Sequence, residues 1–132
     1  MANRNLDDVS TIGKGIVTLA GRFVTDAAGA VTSQVPATTQ GAPFTVTKPA
    51  ATTGQYLITL NDPYPDFYSA VATGMKAAGA NVYKVDVAAV DTSAVPATVT
   101  LQVHDATSGN AADPNALTVG FVLTMKNSTV YP

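Results

Sequence analysis

The sequence contains no cysteine and no glutamate, and it has a single histidine. Without cysteine the chain has no disulfide framework, no thiolate metal site and no cysteine nucleophile. One imidazole is too few for a metal centre built from two or three histidine ligands. These missing residue types exclude several common routes to catalysis and to metal binding.

Charged residues are also scarce, at 12% of the chain against roughly 25% in an average soluble domain. The seven basic residues are scattered and the net charge is -2, whereas nucleic-acid binding needs clustered Lys or Arg. No apolar run approaches the roughly 20 residues that cross a bilayer, and the first residues lack the apolar stretch of a signal peptide. We therefore expect neither a nucleic acid nor a membrane as partner, and synthesis in the cytoplasm.

Hydrophobic residues make up 46% of the 132 residues, which is enough for one core. Much of this apolar content is Ala and Val, so the core should be thin. The exposed surface must consist largely of Thr, Ser, Asn, Gln and Ala. Interfaces exclude Lys and Glu, so a surface poor in both favours contacts with other subunits.

Apolar and polar residues alternate in short segments separated by Gly, Pro, Asn and Asp. The first such segment predicts a strand over Gly15–Thr25, a turn at Asp26–Gly29 and a returning arm over Ala30–Val35. Seven or eight short antiparallel strands favour an all-β fold, a compact β-sandwich or β-barrel, for residues 15–132. Residues 1–14 are polar without a sustained period, which predicts an extended N-terminal arm.

Residues 66–78 fit two templates, a helix and a strand. Asp66 is a possible N-cap, whereas Thr73 and Gly74 inside the segment oppose a helix. Four apolar residues have helical spacing: Phe67, Val71, Met75 and Ala78. The flanking segments are all strand-like. The pattern predicts a short helical turn near Tyr64–Ser69, followed by a strand.

The residues that could carry chemistry are few. His104 lies on the polar face of a predicted strand, and its neighbour Asp105 points to the other side. No G-x-S-x-G motif supplies a serine nucleophile. A calcium loop from Asp105, Asn110 and Asp113 is left open, although the spacing fits no EF-hand and aspartates also favour turns. We expect no enzyme activity, no catalytic residue and no cofactor, with His104 as a solvated side chain.

Three segments together point to a known family: GIVTLAGRFVTDAAGAV, GQYLITLNDPYPDFYSA and DPNALTVGFVLTMKNSTV. Their strands correspond to Gly15–Phe23, Gly54–Tyr64 and Val119–Ser128, and they resemble the small proteins that decorate or cement the heads of tailed bacteriophages. The resemblance implies a β-rich and often trimeric virion subunit on the outer surface of the capsid. Such a subunit binds the major capsid protein, stabilises the head and reaches onto neighbouring capsid subunits with its arm.

Two sets of contact residues follow from this resemblance. The expected capsid anchors are the large apolar residues of the arm: Leu6, Val9 and Ile12. The expected self-association residues are the aromatic side chains concentrated around one predicted turn: Tyr64, Phe67 and Tyr68.

Two alternatives remain at this stage. One is a tail, baseplate or head-fibre subunit with the same chemistry, which location in the particle would distinguish. The other is a carbohydrate- or cell-binding β-sandwich, which needs aromatic and Asp or Asn side chains converging at one loop end.

Overall fold

The computed structural model describes residues 9–11, 16–62, 64–76, 81–93 and 96–126. These residues form two antiparallel sheets and a short 3-10 turn at Thr38–Gln40, and among them there is no α-helix. The all-β prediction is therefore confirmed. The strands are β1 (Val9–Thr11), β2 (Ile16–Thr25), β3 (Val31–Val35), β4 (Phe44–Thr47), β5 (Gln55–Leu60), β6 (Asp66–Lys76), β7 (Tyr83–Asp91), β8 (Thr98–Asp105) and β9 (Leu117–Lys126).

The first sheet, sheet A, is built on three long strands in the order β2, β9 and β6. The short strands β1 and β3 pair with opposite ends of the remaining edge of β2. The second sheet, sheet B, has the order β4, β5, β8 and β7. The last strand of the chain, β9, therefore lies in the middle of sheet A, between two strands that are far from it in sequence.

The core lies between the inner faces of the two sheets, and strict alternation along each strand places it there. All five inner residues of β9 are at most 3% exposed. Full burial of one such side chain contributes roughly 1.5–3 kcal/mol. The largest fully buried side chains come from both sheets: Tyr56, Phe23, Phe44, Leu19, Ile58, Leu60, Leu101, Leu117, Leu123 and Met125.

Phe44 of sheet B packs against Phe121 of sheet A, with ring centroids 5.0 Å apart in an edge-to-face arrangement. Gly21 of β2 lies under this pair. A Cβ atom on Gly21 would be 2.7 Å from Cε1 of Phe44 and 2.8 Å from Cζ of Phe121. The absence of a side chain at this position therefore makes the aromatic contact possible.

The predicted turn at Asp26–Gly29 and the first hairpin are confirmed. The Oδ1 atom of Asp26 accepts hydrogen bonds from the backbone N–H groups of Ala28 and Ala30, and Gly29 has φ of 84°. This left-handed conformation favours glycine. Strand β3 returns from the turn to pair with β2, and β4 and β5 form a second hairpin.

The helical turn predicted near Tyr64–Ser69 is wrong. Tyr64 precedes a strand and is buried, and β6 already begins at Asp66. Pairing with β9 extends from Asp66 to Lys76 and fixes this segment as a strand.

A β-bulge, in which Phe67 and Ser69 pair with adjacent residues of β9, shifts the alternation by one residue. The bulge places Phe67 on the inner face of sheet A, whereas Val71 and Met75 lie on its outer face. These apolar residues therefore lack the common face that their helical spacing suggested.

One end of the sandwich is closed by an ionic contact. The Asp113 carboxylate lies 3.0 Å from the Lys48 ammonium, and it accepts a hydrogen bond of 2.7 Å from the Gly54 backbone N–H. That N–H and the ammonium hold the pKa of Asp113 below its usual range. Nearby, the Tyr56 hydroxyl donates to the Gly29 carbonyl at 2.5 Å, and burial raises its pKa. The contacts connect three separate loops.

The side of the sandwich between β3 and β4 is closed by a side chain. The Gln34 amide Nε2 donates to the Phe44 carbonyl, and Oε1 accepts from the Val46 N–H, both at 3.0 Å. This amide thus takes the place of a neighbouring strand along the free edge of β4. Backbone groups that would otherwise accept a partner strand are satisfied within the chain.

The pair Gly21 and Gly120 tests the packing between the sheets. We expect Gly21→Ala to lower the free energy of unfolding by roughly 1–3 kcal/mol, because the methyl group overlaps two aromatic rings. Gly120→Ala is the matched control on the outer side of β9, where the added Cβ lies 3.5 Å from Cε of Met75. It should be neutral or slightly stabilising. Urea unfolding of both variants measures this, and equal stabilities would contradict the packing argument.

Asp113→Asn should lower the free energy of unfolding by about 1 kcal/mol at pH 7, since the carboxylate is partly exposed and its attraction to Lys48 is screened. Because folding lowers the pKa of Asp113, its contribution is complete above pH of about 4 and is lost as the pH falls further. The stabilities of wild type and variant should therefore converge in acid. Asp62→Asn, at an exposed carboxylate, is the control. A difference that persists unchanged at pH 3 would contradict this assignment.

Candidate protein-docking face

The outer face of sheet A is apolar where an outer face is usually polar. Four of its large side chains are between 43% and 55% exposed. They are four of the seven large hydrophobic side chains that are exposed among the described residues. Together with one exposed alanine they form the surface that we call the docking face: Ala20, Val35, Val71, Met75 and Val122.

Strand register brings these residues together. Val122 of β9 pairs with Ala20 on one side and with Val71 on the other, so the three form a row across the sheet. In the next row, Gly120 lies between Arg22 and Thr73. Because Gly120 has no side chain, an open groove of about 500 Å³ remains between the rows. The face therefore has both an apolar ridge and a depression beside it.

Arg22 is the single charged residue among the described residues that line this groove. It is exposed and pairs with Val35 at the β3 edge of the face. Its guanidinium has no ion-pair partner among the described residues. A partner that covers the face would need to offer a carbonyl or carboxylate oxygen at this position.

The outer face of sheet B provides an internal comparison. Thr45, Thr59 and Thr98 form a row across it, and Gln102 and His104 follow along β8. Leu57 is present but partly buried. This face can stay hydrated at little cost, whereas half-exposed Val and Met side chains gain about 1 kcal/mol each when a partner covers them. The two faces of the sandwich are therefore chemically unequal.

His104 lies on the polar face of sheet B, as the alternation predicted. Its side chain is 31% exposed, and Nδ1 is 3.7 Å from Oδ2 of Asp86, which also lies 3.4 Å from the Lys84 ammonium. The Asp105 carboxylate accepts hydrogen bonds from the backbone N–H groups of Thr107 and Ser108. The imidazole therefore belongs to a small surface charge cluster.

Asp105 and Asp113, two residues of the possible calcium loop, have separate roles. Asp105 caps the turn after β8, whereas Asp113 is bound to Lys48 and Gly54. In the described part of the chain, no three His, Cys, Asp or Glu side chains group together in a way that would hold a metal ion. A carbohydrate site would need aromatic and Asp or Asn side chains that converge at one loop end. At this loop end the side chains of Tyr56 and Asp113 already bind other residues of the chain.

The structure separates the three aromatic residues expected to mediate self-association. Tyr64 is buried, Phe67 packs partly buried against the core, and Tyr68 is 57% exposed as the extra residue of the β6 bulge. Among the three, Tyr68 alone offers a large exposed side chain. Their role in self-association stays a prediction.

The expected arm anchors fall largely beyond the described residues. Leu6 and Ile12 lie outside them, and for Val9 the backbone alone is described, as part of β1. The function of these three residues in capsid binding also stays a prediction.

Sequence reasoning expected a surface suited to subunit contacts, but it did not locate that surface on the outer face of one sheet. Two segments carried a usable signal. In β9, Val119 to Leu123 is apolar at every position apart from Gly120, and in β6 residues Ala70, Val71 and Ala72 are all apolar. Strands that are apolar on both faces are typical of sheets covered on both sides. The pattern therefore indicated a second buried face.

No protein-family model matches this chain, and no significant similarity to a curated protein or to a solved structure was found. None of the helical structure in the described residues has the length and hydropathy of a membrane span.

The docking face should bind an apolar fluorescent dye such as ANS. We expect Val122→Lys to reduce the dye fluorescence several-fold, because the ammonium stands in the middle of the apolar row. Thr100→Lys introduces the same charge on the central strand β8 of the polar face and is the control. Both variants should unfold within about 1 kcal/mol of wild type, since each side chain faces outward. Equal dye binding by the two variants would contradict the assignment.

Proposed function

We propose that this protein is a non-enzymatic structural subunit that binds an assembled protein lattice through the docking face. In its specific form, the proposal is a decoration protein on the outer surface of a phage capsid, bound to the major capsid protein. The observation that carries the general proposal is the exposed row of Ala20, Val122 and Val71, held in register by the pairing of β9 with β2 and with β6. The specific form is supported by the resemblance of the three sequence segments.

The unequal faces of the sandwich support an oriented attachment. A subunit that sits on a shell needs one face that gains free energy when covered and one that stays in water. Sheet A has the first property and sheet B, with its Thr and Gln rows, has the second. Docking by sheet A would leave His104 and its charge cluster facing the solvent.

Thermodynamic linkage explains how such a subunit would strengthen a shell. If the docking face binds neighbouring capsid subunits in the lattice but not the dispersed subunits, the free energy of binding adds to the cost of breaking the shell. The docking face comprises five side chains, so useful affinity would require several copies or an additional contact. The predicted arm would supply such a contact.

The test is to mix the purified protein with capsids that lack it and to measure two quantities. The first is co-sedimentation with the capsid, and the second is the temperature at which the genome is released. Wild type should sediment with the capsid and raise that temperature. Val122→Lys should weaken binding by roughly tenfold or more, because a buried unpaired ammonium is costly. Thr100→Lys should bind as wild type does.

Three outcomes would contradict the proposal in different ways. Wild type that neither binds the capsid nor raises the release temperature would rule out the capsid form. Co-purification with tails would replace it with the tail or baseplate alternative. Binding that is lost equally in Val122→Lys and Thr100→Lys would exclude sheet A as the contact face.

A further inference from the structure

Two short strands share one edge of β2 and leave a gap between them. Strand β1 pairs with β2 as far as Leu19, and the pairing of β3 begins at Arg22. Ala20 and Gly21 lie between them without a ladder partner on this side among the described residues. Because β1 runs antiparallel to β2, its N-terminal end at Val9 points into this gap.

Two routes out of this gap are blocked for the chain that precedes Val9. It cannot continue along β2, because β3 occupies the next part of that edge. The inner side is filled, since the rings of Phe44 and Phe121 crowd Gly21 there. On the outer side the groove of about 500 Å³ is open. The surface open to residues 1–8 at this point is therefore the docking face.

The sequence of residues 1–8 complements this groove. The groove is largely apolar, and its one charged side chain among the described residues, Arg22, has no ion-pair partner there. In residues 1–8, Leu6 directly precedes Asp7 and Asp8. An apolar side chain for the groove and a carboxylate for the guanidinium thus lie next to each other in the sequence. Residues 127–132, at the other end of the chain, contain no carboxylate side chain.

We propose that residues 1–8 occupy the groove of their own chain. Leu6 lies in the depression at Gly120, and the Asp8 carboxylate pairs with the Arg22 guanidinium. The path from β2 across β9 to β6 is about 10 Å long, because neighbouring strands lie roughly 4.8 Å apart. Eight extended residues span about 26 Å, so the segment is long enough to cross the groove.

Strand register supports the ion pair. Extension of the β1 ladder by one residue beyond Val9 sets Asp8 opposite Ala20. Arg22 follows Ala20 by two residues and therefore lies on the same outer face. Diagonal neighbours of this kind are roughly 7–8 Å apart, a separation that a long side chain such as arginine spans.

Occupation of the groove makes the arm a competitor for the docking face. In the free protein the row of Ala20, Val122 and Val71 stays exposed beside the arm. A partner that covers this row also covers the neighbouring groove, so it must displace residues 1–8. Leu6 then becomes available to a neighbouring subunit of the lattice. This release rests on the proposed function, whereas the contact itself depends on the groove alone.

The chain has no cysteine, so a pair of introduced cysteines tests the placement. Asn5→Cys with Thr73→Cys should form a disulfide within one chain, because Leu6 is kept and Thr73 lies beside Gly120 in the register. Asn5→Cys with Thr100→Cys, on the outer face of sheet B, is the control. We expect a yield roughly tenfold or more above the control, measured by peptide mass spectrometry.

Charge exchange in the same double-cysteine protein tests the ion pair. Arg22→Asp should lower the disulfide yield by about threefold or more, because it opposes a carboxylate to Asp7 and Asp8. Adding Asp8→Arg should restore the yield, since opposite charges meet again. Lys84→Asp makes the same change of charge on the outer face of sheet B and should leave the yield unchanged.

An NMR comparison without introduced cysteines gives an independent measure. Leu6→Ser removes the apolar side chain from the groove, so it should shift the amide resonances of Gly120 and Thr73. The amide of Thr100, on the other sheet, should stay in place. Unchanged resonances at Gly120 and Thr73, with disulfide yields equal to the control, would overturn the proposal.

Two further outcomes separate this contact from competing explanations. A disulfide that forms between chains in dilute protein would overturn the proposal, because the occupant would then be the arm of a second copy. Capsid binding that is lost when the disulfide between positions 5 and 73 is closed, and recovered on reduction, would support displacement of the arm. Wild type that fails to bind capsids while this disulfide forms would leave the contact standing and reject the proposed function.

Discussion

The insertion of β9 between β2 and β6 is the interaction on which the rest of the structure depends. Its inner side chains supply the centre of the core, and its outer side chain Val122 connects Ala20 to Val71. Without β9 the other two long strands of sheet A would not be paired with each other. Because β9 is the last strand and β2 nearly the first, closing this sheet requires contacts between distant parts of the chain, whose cost in chain entropy must be offset by the core.

A single composition serves both the interior and the proposed interface. The chain has few charges and many small apolar residues, and its core includes the edge-to-face contact of Phe44 with Phe121. The same composition leaves one outer face without charged side chains at its centre. Such a face costs little to desolvate, so a partner could cover it without breaking ion pairs. The same residue types therefore stabilise the core where they lie on the inner side of a strand and form the docking face where they lie on the outer side.

Much of the fold could be predicted from local pattern, and the exceptions have identifiable causes. Alternation located the strands, and Asp26 with Gly29 located the first turn, because period and turn chemistry are local properties. The segment after Tyr64 was misassigned because the spacing of four residues between Phe67, Val71 and Met75 fits a helix as well as one face of a strand, and pairing with β9 decides between the two. The aromatic residues nearby were treated as one surface, yet Tyr64 is buried while Tyr68 is exposed, a difference that depends on the register of the bulge.

Two conclusions follow from the sequence alone. The two-residue alternation predicts an all-β chain, and the lack of cysteine with a single histidine excludes thiol chemistry and multi-histidine sites. Which strands become neighbours is decided by packing between residues far apart in the chain, and no local pattern encodes that order. The docking face exists because β2, β9 and β6 meet in one register. This candidate contact surface is therefore a product of tertiary structure, although every residue in it is visible in the sequence.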